Sequence, residues 1–203
     1  MSQSVFIVDD DPAVRDSISL WLSCHGYDTR CFADAKHFLG QVTQTLEGCI
    51  IADIRMPGMG GLELQAHLNK INCQLPLIFI TGHGTVPMAV EAIKNGALDY
   101  LRKPVDEMQL LQKVKEGFVI DSINNQKRQR SLQHQSRLNS LTKRELEVLE
   151  LVVAGTSNKV IASGLSISHR TVEVHRAKVM LKLGAKTLPQ LVKSYLTMLE
   201  SSY

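Results

Sequence analysis

The sequence predicts two domains of different class. Residues 1–120 read as an α/β domain with a doubly wound, five-stranded parallel sheet, and residues 138–203 as a small all-α domain. Three observations predict this. Short apolar runs alternate with helical patterns as far as residue 120 and then cease. Polar residues stand at the carboxyl ends of four of the five runs. The charge also divides: residues 1–120 carry ten Lys and Arg against fourteen Asp and Glu, and residues 121–203 carry thirteen against six. An acidic half joined to a basic half directs a polyanion to the second half alone.

Taken in order, Val5–Val8 is a β-rich run that ends in three aspartates. From Pro12 to about Cys24 the pattern is helical, with Val14, Ile18, Trp21 and Leu22 on one face. Tyr27–Phe32 is a weaker strand, and Ala33–Gln41 is helical. Cys49–Ala52 is a buried strand that runs into Asp53. A helix over Leu62–Ile71 places Leu62, Leu64, Leu68 and Ile71 among its apolar positions. Leu75–Ile80 is a strong strand that ends at Thr81. The helix Val86–Lys94 stops at Asn95-Gly96, a good C-cap. Leu98–Leu101 leads to Lys103-Pro104, and Asp106 caps a helix that runs to about Ile120. Continuous apolar strands between helices imply a parallel sheet covered on both faces, and right-handed crossovers make it doubly wound.

Residues 121–137 are polar and rich in Gln, Asn and Arg, a linker that is either irregular or a helical extension. Beyond it four helices are predicted, roughly Lys143–Ala154, Asn158–Ser163, Arg170–Leu183 and Pro189–Leu199, with Gly155, Gly164 and Gly184 as stop signals. No apolar run approaches the ~20 residues of a membrane helix, and MSQSVFIVDD has no basic segment of a secretory signal. Cys24, Cys31, Cys49 and Cys73 lack metal-ligand spacing and read as reduced core residues of a cytosolic protein.

Parallel strands bring their carboxyl ends to one edge, where a doubly wound sheet binds its ligand. Asp9, Asp10 and Asp11, Asp53, Thr81 and Lys103 should therefore meet. Clustered carboxylates repel unless a cation joins them, and Mg²⁺ suits a few carboxylates together with waters and phosphate. A lysine, a hydroxyl and a carboxylate nucleophile complete a set suited to phosphoryl transfer onto aspartate. Plain helix capping is the alternative for Asp11. His83, in a Gly-rich loop, reads as a surface residue, and Gly82 leaves room beside Thr81.

The motifs VDDD (8–11), DIRMPGMGG (53–61), ITGHG (80–84) and YLRKP (100–104) resemble the receiver domain of two-component response regulators, with its flavodoxin-like fold. The resemblance implies that Asp53 accepts a phosphoryl group from a sensor histidine kinase. It implies one Mg²⁺ per receiver, with Mn²⁺ as a substitute, on Asp9, Asp10, Asp53 and the backbone carbonyl of Arg55. Thr81 would be the switch hydroxyl, Lys103 the phosphate-pairing lysine and Tyr100 the aromatic that turns inward after Thr81. A cis Lys103–Pro104 bond is expected on the same ground. Receivers of this type pair through the fourth helix and fifth strand, which makes Val90 packing and a Lys94–Asp99 pair across two subunits the dimer candidates.

In Ser168–Leu183, Val172, His175, Val179 and Leu183 can face a small core, whereas Arg170, Glu173, Val174, Ala177, Lys178 and Leu181 lie outward. A helix in the major groove needs small or polar groups at base edges and Lys/Arg beside phosphates. Ser168 can cap this helix and turn its N–H groups to a phosphate. LTKRELEVLELVVAGTSNKVIASGLSISHRTVEVHRAKVMLKLGAK resembles the LuxR-type helix-turn-helix of the FixJ/NarL class. The resemblance makes Arg170–Leu183 the recognition helix, with Glu173, Val174 and Ala177 near bases. Lys159, Arg170, Thr171, Arg176 and Lys178 would lie near phosphates. Glu173 could instead pair with Arg170 or Arg176. Leu188, Leu191, Val192, Tyr195 and Leu199 offer either a dimer contact or internal packing.

The whole predicts a cytoplasmic transcription regulator that is phosphorylated, dimerises and reads paired promoter half-sites. It would meet RNA polymerase if it is an activator, the expected direction. It would bind no membrane, and its own catalysis would be limited to slow self-dephosphorylation. A phosphatase that works through an aspartyl-phosphate is the enzymatic rival, disfavoured because Arg55 stands where such enzymes carry a second Asp. A regulator indifferent to phosphorylation is the other.

Overall fold

The computed structural model describes residues 4–43, 45–82 and 84–200, with side chains described as far as 196. His83 and the side chain of Leu199 lie outside the described residues. The chain divides into two compact units, Met1–Asn125 and Gln126–Tyr203.

The first unit alternates strand and helix: β1 (Ser4–Val8), α1 (Pro12–Cys24), β2 (Asp28–Phe32), α2 (Ala35–Leu39), β3 (Gly48–Asp53), α3 (Gly61–Lys70), β4 (Leu77–Thr81), α4 (Val86–Lys94), β5 (Asp99–Arg102) and α5 (Glu107–Asn139). The sheet has the order β2-β1-β3-β4-β5, and every pairing is parallel. The period-2 alternation of strands divides the core in two. Phe6, Val8, Ile50, Ala52 and Phe79 point to one face and meet Phe38, Leu64, Leu68 and Ala92 of α2, α3 and α4. Val5, Ile7, Cys49, Ile51, Ile78 and Ile80 point to the other and meet Leu22, Leu110, Val114 and Phe118 of α1 and α5. These side chains are buried, and each Val, Leu, Ile and Phe among them contributes on the order of 2 kcal/mol. Both faces are thus covered, as apolar parallel strands require.

Several expectations need correction. The helix expected to reach Ile71 ends at Lys70, and Ile71 is its C-cap and 52% exposed. Cys24 and Cys31 are exposed and only Cys49 is fully buried, although all four cysteines are free. Of the two alternatives for residues 121–137 the helical one holds: α5 continues through them to Asn139 without interruption. No Gly or Pro falls between Phe118 and Ala154 to break it. Within the first unit this helix is tied down at the N-terminal edge of the sheet. Asp121 is buried and accepts the Gly48 N–H at 2.9 Å, Asn124 donates to the Gln74 carbonyl, and Asn125 donates to Glu47.

The second unit holds the end of α5, then α6 (Lys143–Val153), α7 (Asn158–Gly164), α8 (His169–Leu183) and α9 (Leu188–Glu200). Val148, Leu149, Val152, Ile161, Val172, Val179, Leu183 and Leu191 form its core. Gly184 ends α8 in the left-handed conformation (φ 69°), as its place after the last apolar residue predicts. Gly164 instead remains inside α7, and the left-handed residue of the next turn is Ser166 (φ 53°). Among the described residues no helix is long and apolar enough to cross a membrane.

Candidate functional site

The first site lies at the carboxyl edge of the sheet. Asp9 follows β1 and is held by its own backbone: its N–H donates to the Phe32 carbonyl of β2 at 3.1 Å. Its carbonyl accepts Nη1 of Arg15 at 2.6 Å, and its Oδ1 accepts the Asp11 N–H at 2.9 Å. Asp53 is the last residue of β3, and its Oδ1 accepts the Arg55 N–H at 3.2 Å. Lys103 lies just past β5, where its N–H donates to the Thr81 carbonyl at 2.8 Å. From there its Nζ reaches Oδ2 of Asp9 at 2.7 Å and Oδ2 of Asp53 at 2.8 Å. The Lys103–Pro104 bond is cis. Thr81, the last residue of β4, is buried beside them.

Close approach of α3 to Asp53 depends on Gly61. A Cβ there would fall 2.4 Å from the Asp53 carbonyl oxygen and 2.8 Å from the Phe79 ring. Gly61 of the motif is therefore a packing requirement at the back of β3.

Electrostatics favour a cation here. Ligand oxygens of Asp9, Asp10 and Asp53 lie within 4.8 Å of one another, with Asp9 and Asp53 buried and Asp10 exposed. Burial pushes the Asp9 carboxyl above its ordinary range, despite the hydrogen bond from Lys103. Burial alone would lower Lys103, but its hydrogen bonds to Asp53 and Asp9 outweigh that and raise it, so the proton stays on the amine. Three carboxylates against the Lys103 ammonium and the Arg15 guanidinium still leave negative charge uncompensated. An open, all-oxygen set fits a hard divalent ion that retains waters. Asp11 stands apart from the cluster: its Oδ1 accepts the Ala13 N–H and caps α1.

Tyr100, on β5, has its hydroxyl buried without a hydrogen-bond partner. Of the dimer candidates, Val90 is 46% exposed on α4. Asp99 is engaged within its own chain by Lys113 at 3.1 Å, a partner that the expected pairing with Lys94 did not include.

The second site is the outer face of α8. Ser168 caps the helix by accepting the Thr171 N–H at 3.0 Å, and its hydroxyl also meets that of Thr171. Lys159, Arg170, Glu173, Val174, Ala177 and Lys178 are exposed, opposite the buried Val172, Val179 and Leu183. Arg176 is half-buried and donates to Asn158 of α7 at 2.5 Å, so it braces one helix of the turn against the other. Glu173 lies 3.4 Å from His169, one turn back, instead of beside Arg170 or Arg176. His175 is half-buried, its Nδ1 without a partner.

On α9, Leu191 is only 2% exposed and belongs to the core, so it offers no surface to a second subunit. Tyr195 packs against the same core, which leaves Leu188, 43% exposed, as the outward residue of the three.

Sequence reasoning missed Glu145 and Lys182, joined at 2.6 Å beneath α8. The signal for Glu145 was present as Thr142-x-x-Glu145, a capping box in which Thr142 and Glu145 satisfy each other's backbone N–H groups. Lys182 had no comparable signal.

A doubly wound parallel sheet with an acidic carboxyl edge, followed by a basic helix-turn-helix, defines a receiver joined to a DNA-binding module. The chain belongs to the response regulators of the FixJ/NarL family, two-component transcription regulators with a receiver and a LuxR-type helix-turn-helix. Residues 5–115 match the response regulator receiver domain, and residues 139–195 match the bacterial regulatory proteins of the luxR family. The chain is 41% identical over 198 residues to the transcriptional regulatory protein FixJ of Rhizobium meliloti, covering 94% of this chain and 93% of that one. It is 38% identical over 191 residues to the transcriptional regulatory protein TdiR of Thauera aromatica, covering 94% and 84%. Among solved structures it resembles the response regulator StyR, with TM-score 0.87, 39% identity and coverage of 97% and 100%. It also resembles full-length FixJ from B. japonicum, with TM-score 0.59, 36% identity and coverage of 98% and 99%. The family is one of transcriptional regulators, distinct from ordinary enzymes.

Proposed function

We propose that a sensor histidine kinase transfers a phosphoryl group to Asp53, and that this modification drives dimerisation and binding of paired promoter half-sites. The carrying observation is the bridge that Lys103 makes at once to Asp9 and Asp53. It holds a cation where the phosphoryl oxygens on Asp53 would gather. An Asp53 carboxylate oxygen attacks phosphorus as the bond to the kinase histidine nitrogen breaks, and that nitrogen keeps the electron pair. Asp9, Asp10, Asp53 and the Arg55 carbonyl would hold Mg²⁺, or Mn²⁺ in its place, and the ion would neutralise charge on the transferred oxygens. Thr81 then moves toward those oxygens and Tyr100 follows, a shift between two receiver populations without a new fold.

The proposed division is residues 1–120 for the phospho-acceptor domain, 121–137 for the linker and 138–203 for the DNA-binding domain. Val90, Lys94 and Asp99 are the proposed receiver contacts, and Leu188 is an outward candidate in the second unit. On DNA, Arg170, Lys178, Lys159 and the capped N-terminus at Ser168 and Thr171 serve phosphates, while Glu173, Val174 and Ala177 approach base edges. Arg176 serves mainly by bracing the turn. DNA as partner implies a cytoplasmic setting, and activation through RNA polymerase is the favoured direction.

The test is phosphoryl incorporation from acetyl phosphate with Mg²⁺, read by intact mass. The wild type should gain one phosphoryl group and Asp53→Asn none. Incorporation into Asp53→Asn at the wild-type rate would overturn the assignment.

A further inference from the structure

Tyr100 is held in a pocket that depends on a missing side chain. A Cβ built on Gly84 would fall 1.7 Å from the Tyr100 hydroxyl oxygen, 2.6 Å from its Cζ and 2.7 Å from Thr81 Cγ2. Tyr100, Thr81 and the backbone at Gly84 therefore crowd one point. Gly82, two residues earlier in the same loop, has nothing within 4 Å of its own virtual Cβ. Gly84 is also absent from the glycines with positive φ, so space, and not backbone freedom, demands glycine there. Contacts this short cannot be absorbed by shifts of a few tenths of an ångström in a close-packed site.

We propose that Gly84 is a positioning residue for the switch: its lack of a side chain admits Tyr100 to the half-buried position beside Thr81. A side chain at residue 84 would expel the ring toward solvent and deplete the inward state. The half-buried ring supports this, since its hydroxyl is buried with no hydrogen-bond partner among the described residues to retain it. The ring packs against the core of that face, and the space above Gly84 admits it. The role in signalling rests on the phosphoryl switch proposed above, whereas the steric relation between Gly84 and Tyr100 does not.

The test uses the full chain labelled with 3-fluorotyrosine. The chain has four tyrosines, and Tyr100→Phe assigns the Tyr100 resonance. Its exposure is read by ¹⁹F NMR with a soluble paramagnetic agent. In the wild type the signal should be protected. In Gly84→Ala the inward fraction should fall about tenfold or more. At equal phosphorylated fraction, the phosphodonor-driven gain in self-association should fall with it, and in a Tyr100→Ala background Gly84→Ala should change that gain no further. A Tyr100 signal still protected in Gly84→Ala would overturn the proposal. If Gly84→Ala fails to fold, the double variant Gly84→Ala/Tyr100→Ala decides. Recovery of folding supports the clash, and failure to recover refutes it. A wild type that takes up phosphoryl without any gain in self-association would overturn the proposed switch, yet the NMR result would still judge Gly84.

Discussion

The Glu145 carboxylate on α6 lies 2.6 Å from the Lys182 ammonium near the end of α8, and this pair joins the scaffold helix to the helix that faces outward. Glu145 is 3% exposed. Its Oε2 also accepts the Thr142 N–H at 2.8 Å, and Lys182 donates in addition to the Ser140 carbonyl at 2.9 Å. Replacing Glu145 with Gln removes the charge and weakens both ends of this arrangement. The expected loss is about 2 kcal/mol in the second unit, measured by urea denaturation. Lys182→Met should cost a similar amount, and the two losses should be strongly non-additive.

The same pair predicts a pH dependence. The hydrogen bond from Lys182 holds the Glu145 carboxyl at about 2, against an ordinary value of about 4.3. A carboxyl depressed in the folded state stabilises above its unfolded pKa, and that stability is lost as pH falls. The second unit should therefore weaken between about pH 5 and about pH 2. Glu145→Gln should flatten this part of the stability curve, read by circular dichroism against pH.

At the carboxyl edge of the sheet the balance runs the other way. Burial raises the Asp9 carboxyl despite its bond to Lys103, so its charge opposes folding at neutral pH unless a further cation binds. Mg²⁺ should raise the thermal midpoint of the first unit. Asp9→Asn should raise the midpoint measured in EDTA and reduce or abolish the further rise on adding Mg²⁺. Differential scanning calorimetry of the four conditions checks both signs.

Gly61 tests the packing behind Asp53. A Cβ would press on the Asp53 carbonyl, the Ile54 backbone and the Phe79 ring. Gly61→Ala should destabilise the first unit by about 2 kcal/mol, seen as a lower urea midpoint at unchanged slope. Mutation at the open position Gly82 should cost much less.

DNA contacts can be sorted by salt. Arg170 and Lys178 are exposed on α8. Arg170→Ala and Lys178→Ala should each lower affinity and reduce the salt slope by about one. Arg176→Ala should act mainly through stability, because Asn158 already engages that guanidinium. Affinity for one duplex titrated over a salt series separates these outcomes.

Much of this protein is written in local pattern. The sequence by itself determined the alternation of strands and helices, because side-chain periods of 2 and 3.6 are visible over a few residues. It also determined which residues gather at one edge, because parallel strands must bring their carboxyl ends together. Asp9, Asp53, Thr81 and Lys103 were legible for that reason. Only the tertiary structure decided which groups touch: Lys103 reaches two aspartates 94 and 50 residues away in sequence. It placed Asp11 in a cap and Leu191 in the core, left Cys24 and Cys31 exposed, and set the ring of Tyr100 against Gly84. A periodic pattern specifies which face a residue takes on its own element. What that face meets depends on contacts between distant segments, which no local window contains.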